Sequence, residues 1–255
     1  MPENNSGSIF DKFFEFNLSG ELISSLIVMG IIVILSLIIG ILAARANPLK
    51  RPRGLLLIAE IGVKFYDNFS YELVGTTLPN FGGFIMAVAT YLFLSFIIGL
   101  TGLPSPVTYM AIPLSLGLTT FLLIHYTSAR FTKWRYFKRY VDPIPVFLPI
   151  NLISMWAPLL SLTLRLFGNA IAGWALLTIV EYSLRNLSAS LFSFIQSDIN
   201  QAFLAPIPLA ILHAYFDVFS GLIQTFVFIL LTSIFIGQEI PEEIDLNTLE
   251  RRKKS

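Results

Sequence analysis

Arg165 is the residue with the most demanding chemistry in this sequence. It is the sole charge in the 38 residues between Asp142 and Glu181, an apolar run long enough to cross a bilayer. An arginine at a bilayer centre costs about 2.5 kcal/mol on insertion scales. It cannot escape by deprotonating, because a guanidinium keeps its proton in proteins. The guanidinium must therefore face protein, water or a carboxylate. One reading is a pair with Asp217 that ties two helices together; the other is a positive charge kept for function. Buried pairs add little net stability, which favours the second. At helical spacing, Arg165, Gly168, Asn169, Ala172 and Gly173 form a small, polar stripe that lets another helix approach closely, with the arginine protruding. A second set, His213, Asp217, Ser220 (with Gly221) and Gln224, falls at i, i+4, i+7 and i+11. Protonatable and hydrogen-bonding groups on one face of a span fit a water-lined ion path. A polar seam between two helices is the alternative, and it requires every group to be satisfied across the interface. Glu181 reads equally as a helix-end charge or as a residue at the mouth of such a path.

Other chemistries have no residues to carry them. There is no cysteine, so disulfides, thiolate metal sites and cysteine nucleophiles drop out together. The two histidines, His125 and His213, are too few for a histidine metal site. Glycine-rich phosphate loops and triad spacings are absent, so neither a nucleotide nor another cofactor is expected. With 17 Lys+Arg against 16 Asp+Glu, no nucleic-acid surface is expected either.

The elements that must position these residues are membrane helices. Only 13% of residues are charged, against about 25% in soluble domains, while 55% are hydrophobic. The charges bracket long apolar runs. One of 23 residues between Glu21 and Arg45 is a single span. One of 57 between Glu72 and Arg130 is two spans, broken at Gly102-Leu103-Pro104-Ser105-Pro106. The runs of 38 (Asp142 to Glu181) and 40 (Asp198 to Glu239, with Asp217 inside) are each two spans or one tilted helix. Neither has a clear central turn, so the expectation is two long, strongly tilted helices forming a hairpin through residues 185–199. The fold class is all-α: an integral membrane protein with five transmembrane helices in a single domain, residues 1–255. Expected bounds are a span at 21–45, an interfacial helix at about 54–74, spans at about 79–102 and 107–130, long helices at about 145–184 and 200–238, and a tail at 239–255.

In the interfacial helix, Leu56, Ala59, Ile61 (or Val63), Tyr66 and Phe69 make the apolar side, and Glu60, Lys64 and Asp67 the wet side. A merely solvated connector is the alternative. With the N-terminus outside, fourteen basic residues fall inside: Arg45, Lys50, Arg51, Arg53, Lys64, Arg130, Lys133, Arg135, Lys138, Arg139 and the four from Arg251 to Lys254. Only Lys12 and Arg185 fall outside, which sets the orientation with the C-terminus cytoplasmic. Glu3, Asp11 and Glu15, without a basic n-region, argue against a cleaved signal peptide. Trp134 and Tyr136 among the basic residues read as a membrane anchor, and His125 as an interface residue.

The segment Leu162-Thr163-Leu164-Arg165-Leu166-Phe167-Gly168-Asn169-Ala170-Ile171-Ala172-Gly173 resembles the signature of subunit a of the rotary F-type ATP synthase, and Gln224-Thr225-Phe226-Val227-Phe228 resembles that family's last helix. The resemblance covers about Gly20 to Gln238. It implies a stator subunit of the membrane Fo sector, non-catalytic by itself, in a bacterial plasma membrane. Its implied partners are the ring of subunit c, the subunit b peripheral stalk, the whole F1Fo complex and membrane lipid. Two offset half-channels would pass protons, or Na+, to and from the ring carboxylates. Arg165 matches the essential arginine separating the half-channels, Asn169 the asparagine one turn on, and Gln224 the glutamine facing it. Asp217 takes a position where relatives carry histidine or glutamate. Two departures stand out. Trp174 follows the motif's final glycine where many relatives have Glu or His, and Ile153-Ser154-Met155-Trp156-Ala157 lacks the usual acidic residues. The outer channel then rests on Asp217 and His213, with Glu181 as a further candidate. A secondary transporter binding an anion at Arg165 is the main rival, and it predicts repeated halves and broken mid-membrane helices. A membrane scaffold without transport would leave the His213–Gln224 ladder unexplained.

Overall fold

A computed structural model of the chain describes residues 19–46, 52–75, 77–132, 146, 148–192 and 204–241. Lys12, Lys50, Arg51, the cluster from Lys133 to Arg139, most of the connection between the last two helices and the basic tail lie outside the described residues. The helices are α1 (Gly20–Arg45), α2 (Leu55–Val74), α3 (Phe81–Ile97), α4 (Ala111–Thr132), α5 (Leu148–Leu191) and α6 (Pro206–Gly237). All except α2 are long and apolar enough to cross a membrane, and no strand occurs among the described residues. The chain is an all-α, multi-pass membrane protein.

Local sequence explains the element ends. In α1, Glu21 lies in the first turn and Arg45 in the last, each charge opposing the helix dipole. A 3₁₀ turn, Ile98–Thr101, extends α3 and stops at Gly102, whose φ of 82° few other residues adopt. Pro206 and Pro208 sit at the start of α6, where a missing N–H costs nothing.

Helix α3 is the hub. Its residues Phe81, Ile85, Val88, Leu92 and Phe96 form one buried column at helical spacing. That column joins Leu162, Leu166 and Ala170 of α5 and Phe228, Ile229 and Ile236 of α6 in the core. Helices α1, α2 and α6 pack around α3, and α4 packs on α5. Polar contacts add to the packing: Ser25 Oγ and Tyr91 Oη are 2.7 Å apart, and Thr120 Oγ1 and Thr232 Oγ1 3.4 Å apart. Such hydroxyl contacts suit helices in lipid, where apolar burial between helices gains little. In α1 only Ser24, Ser25 and Val28 are buried, as expected for a helix apolar all round.

In α2, Leu56, Ala59, Tyr66 and Phe69 are half-buried, yet Ile61 and Val63 are 60% and 44% exposed, because the helix packs mainly through its C-terminal half. Asp67 is exposed and stands against Gly82 in the first turn of α3, where the helix dipole favours a carboxylate. One expectation is corrected: α5 runs unbroken to Leu191, past the expected end near 184, so the turn cannot begin at 185. Glu181, read equally as a helix-end charge or a mouth residue, pairs with Arg185 at i, i+4 (2.7 Å), and the helix continues beneath them.

Candidate functional site

Helix α5 presents two faces. Leu159, Leu162, Leu166, Ala170, Gly173 and Leu177 are buried against the bundle. Ser161, Arg165, Asn169 and Ala172 are exposed, with Gly168 half-buried between them. The arginine Nη2 donates a hydrogen bond to Ser161 Oγ at 3.2 Å, one turn earlier on the same helix. No pair with Asp217 forms, so Arg165 does not tie α5 to α6. The small stripe is also narrower than its spacing implied. A side chain on Gly168 would meet open space, whereas Gly173 turns inward and receives the Phe216 ring of α6. An exposed cation on a low, apolar-flanked stripe is what remains.

A cavity of about 370 Å³ opens beside this stripe. Asn169, Trp174 and Glu181 of α5, and His213, Asp217 and Ser220 of α6, line it together with the loop after α3. Along α5 the lining runs from Glu181 to Asn169, about 18 Å at helical rise, and stops one turn short of Arg165. Asn169 therefore belongs to both features. Within the cavity, His213 Nδ1 donates to Asp217 Oδ2 at 2.8 Å, and the aspartate side chain is 16% exposed against 39% for the histidine. Glu181 accepts from Arg185 Nε at 2.9 Å. The two carboxylates thus have different partners, one titratable and one permanently charged.

The structure brings Asn169, Glu181, His213, Asp217 and Ser220 to one cavity and leaves Arg165 beside it. Gln224 is not among the lining residues, and its Oε1 is buried without a hydrogen-bond partner. The reason is local: Ala214–Ser220 is π-helical, which inserts a residue into the turn. The face before it is then rotated by about 100° relative to the face after it, so His213 and Gln224 do not share the face that an uninterrupted helix would give them. Sequence reasoning missed Gly99, Ser105, Thr108 and Thr178, which also line the cavity. The hydroxyls carry no motif, and Gly99 acts through what it lacks. Among the described residues, no group of three or more His, Cys, Asp or Glu stands close enough to hold a metal.

Comparison with known proteins places this geometry in context. The family model described as ATP synthase A chain matches residues 23–237. That range includes both the arginine stripe and the whole cavity. The chain is 31% identical to ATP synthase subunit a of Pediococcus pentosaceus over 239 residues, which is 89% of this chain and 92% of that protein. It is 30% identical to ATP synthase subunit a of Mycoplasma genitalium over 206 residues, 74% of this chain and 68% of that one. Against ATP synthase subunit a of Bacillus velezensis the identity is 27% over 243 residues, 87% of this chain and 93% of that protein. A match that spans five membrane helices, the exposed arginine and the acidic cavity leaves one conclusion: the chain belongs to the ATP synthase A chain family.

Proposed function

We propose that this chain is the stator ion-channel subunit of a rotary ATP synthase, passing protons to and from carboxylates on a ring of subunit c. One observation carries the reading: the acidic cavity ends one turn from an exposed arginine on a face that no other part of the described chain covers. With the N-terminus outside, the loop after α3 and Glu181 lie at the outer surface, and the cavity is the outer half-channel. Protons enter past Glu181, reach the His213–Asp217 pair and pass by Asn169 to a ring carboxylate. The chain binds no nucleotide itself; it works within an F1Fo complex, in a bacterial plasma membrane, with the ring and a subunit b stalk as neighbours.

Arg165 supplies the switch. A ring carboxylate facing lipid is neutral, because exposing its charge there is prohibitive. At roughly 4–6 Å from the guanidinium, with an effective dielectric near 20, the attraction for its ionised form is about 3–4 kcal/mol, or two to three pKa units. The carboxylate then releases its proton, and rotation separates the pair as water hydrates both. The same positive charge repels protons that would pass directly between half-channels. Arg165→Ala should abolish proton-driven ATP synthesis in vesicles carrying the assembled complex. Synthesis at the unmutated rate, with assembly confirmed, would sink the reading. An unbroken α5 through Arg165 also disfavours the transporter reading, which needs an interrupted helix at the substrate.

A further inference from the structure

Three glycines surround the π-helical turn, and each takes a neighbour into the space of its missing side chain. A Cβ on Gly173 would stand 3.2 Å from Phe216 Cδ1, and one on Gly221 2.6 Å from Phe96 Cβ. These two are helix-packing contacts between apolar groups. Gly99 differs, because what it receives is a carboxylate. A Cβ there would lie 3.1 Å from Asp217 Oδ2 and 3.3 Å from Cγ, tighter than ordinary van der Waals contact, and 3.4 Å from Oδ1. Backbone conformation does not demand glycine at this position: Gly99 lies inside the 3₁₀ turn Ile98–Thr101, and the positive-φ glycines are Gly54, Gly75 and Gly102. Space is what glycine provides here. Oδ2, the oxygen nearest Gly99, is also the one that accepts from His213 Nδ1 at 2.8 Å.

We propose that Gly99 is a positioning residue for proton transfer in this subunit: its missing side chain is the seat that holds the Asp217 carboxylate against His213 at the wall of the cavity. This deepens the proposed function and rests on Asp217 as a proton-carrying group of the outer path. The π turn turns Phe216 toward Gly173 of α5 and Asp217 toward Gly99 at the end of α3, so neighbouring residues are seated on different helices. A methyl group at position 99 displaces the carboxylate by a few tenths of an ångström. A charge-assisted hydrogen bond weakens with such a shift, and proton transfer along it weakens too.

The test is ATP-driven proton pumping by vesicles carrying the assembled complex, with subunit content measured by immunoblot. Gly99→Ala should slow pumping about three- to tenfold, since misplacement by 1 Å can cost a hundredfold and this shift is smaller. Gly83→Ala, at an open position with nothing within 4 Å, should pump at the unmutated rate. In the Asp217→Asn background, Gly99→Ala should cost nothing further, because the group it positions is gone. The infrared carboxyl band that disappears in Asp217→Asn should move in Gly99→Ala. Should Gly99→Ala fail to assemble, Asp217→Glu asks the same question, because its extra methylene moves the carboxylate off the seat between Gly99 and His213; it should slow pumping by a similar factor. Unmutated pumping in Gly99→Ala or Asp217→Glu, an unmoved band, or an equal further loss in the Asp217→Asn background would overturn the proposal. Unmutated pumping in Asp217→Asn itself would instead remove the outer path on which the proposal rests.

Discussion

Two carboxylates line one cavity, and their partners give them different work. Glu181 pairs with Arg185, both about half exposed, and such surface pairs are worth about 0–1 kcal/mol. Asp217 is more enclosed and its partner is an imidazole, which can accept and donate a proton where the Arg185 guanidinium cannot. Glu181→Gln should therefore change ATP-driven pumping by less than about twofold, since it deletes an entrance charge and no relay. Asp217→Asn should slow pumping at least about tenfold at unchanged assembly, the lower part of what a positioned acid–base group contributes. Equal losses in the two variants would mean that the cavity works only as a diffuse negative funnel. Arg165→Lys belongs to the same scale. An ammonium is compact and can deprotonate when desolvated, so the variant should fail at proton-driven synthesis despite its formal charge. Synthesis at half the unmutated rate or more would show that charge alone suffices.

At the scale of elements, the π turn of α6 is the feature with the widest consequence. It keeps His213, Asp217 and Ser220 on the cavity while the following turns bury Thr225, Phe228 and Ile229 in the core. An uninterrupted helix satisfies one of these demands at a time, because one residue of register is about 100° of rotation. Deleting Phe219, which is 55% exposed and so costs little packing, should restore α-helical register. The core half of α6 has more to lose and keeps its place, so His213 and Asp217 rotate away from Gly99. Pumping should be lost with the subunit still present in the membrane. Pumping at the unmutated rate would show that the π turn has no part in the path.

For the whole molecule, length and topology make the demands. At helical rise the 44 residues of α5 reach about 66 Å, twice the hydrocarbon thickness of a bilayer. Exposed apolar side chains recur along it from Ile153 through Leu164 and Ile179 to Leu187. Such a helix stays within lipid over that length only when steeply inclined, and a structure of the assembled complex should show α5 and α6 both far from the membrane normal. Orientation has a simple test, because the chain contains no cysteine and single-cysteine variants report without background. Leu103→Cys, in the exposed loop after α3, should react with a membrane-impermeant thiol reagent from the outer face. Arg53→Cys, at the approach to α2, should react only from the cytoplasmic face. The reverse pattern would invert the assignment of the cavity to the outer surface.

Much of this protein was legible without coordinates. Charges are so costly in hydrocarbon that their absence marks the spans, and Arg165 is conspicuous because its charge cannot be neutralised. A period of 3.6 residues was enough to place Arg165 with Asn169, and His213 with Asp217, because i, i+4 neighbours in a helix meet whatever surrounds them. The same period failed where tertiary contacts altered it. Gln224 left the ladder because a π turn changes register without any residue type announcing it. Gly173 left the small stripe because the Phe216 ring of α6 fills its place. Charges leave choices open in their own way: Glu181 read equally as a helix-end charge or a mouth residue, and only the fold shows it paired with Arg185 on a continuing helix while it lines the cavity. Gly99 could not be found at all from sequence, since its part depends on how near another helix brings Asp217. Sequence sets what each residue can do and which neighbours on its own helix it meets. Contacts between helices decide which of those residues share a cavity, because a helix's rotation and register are set by the surfaces it packs against.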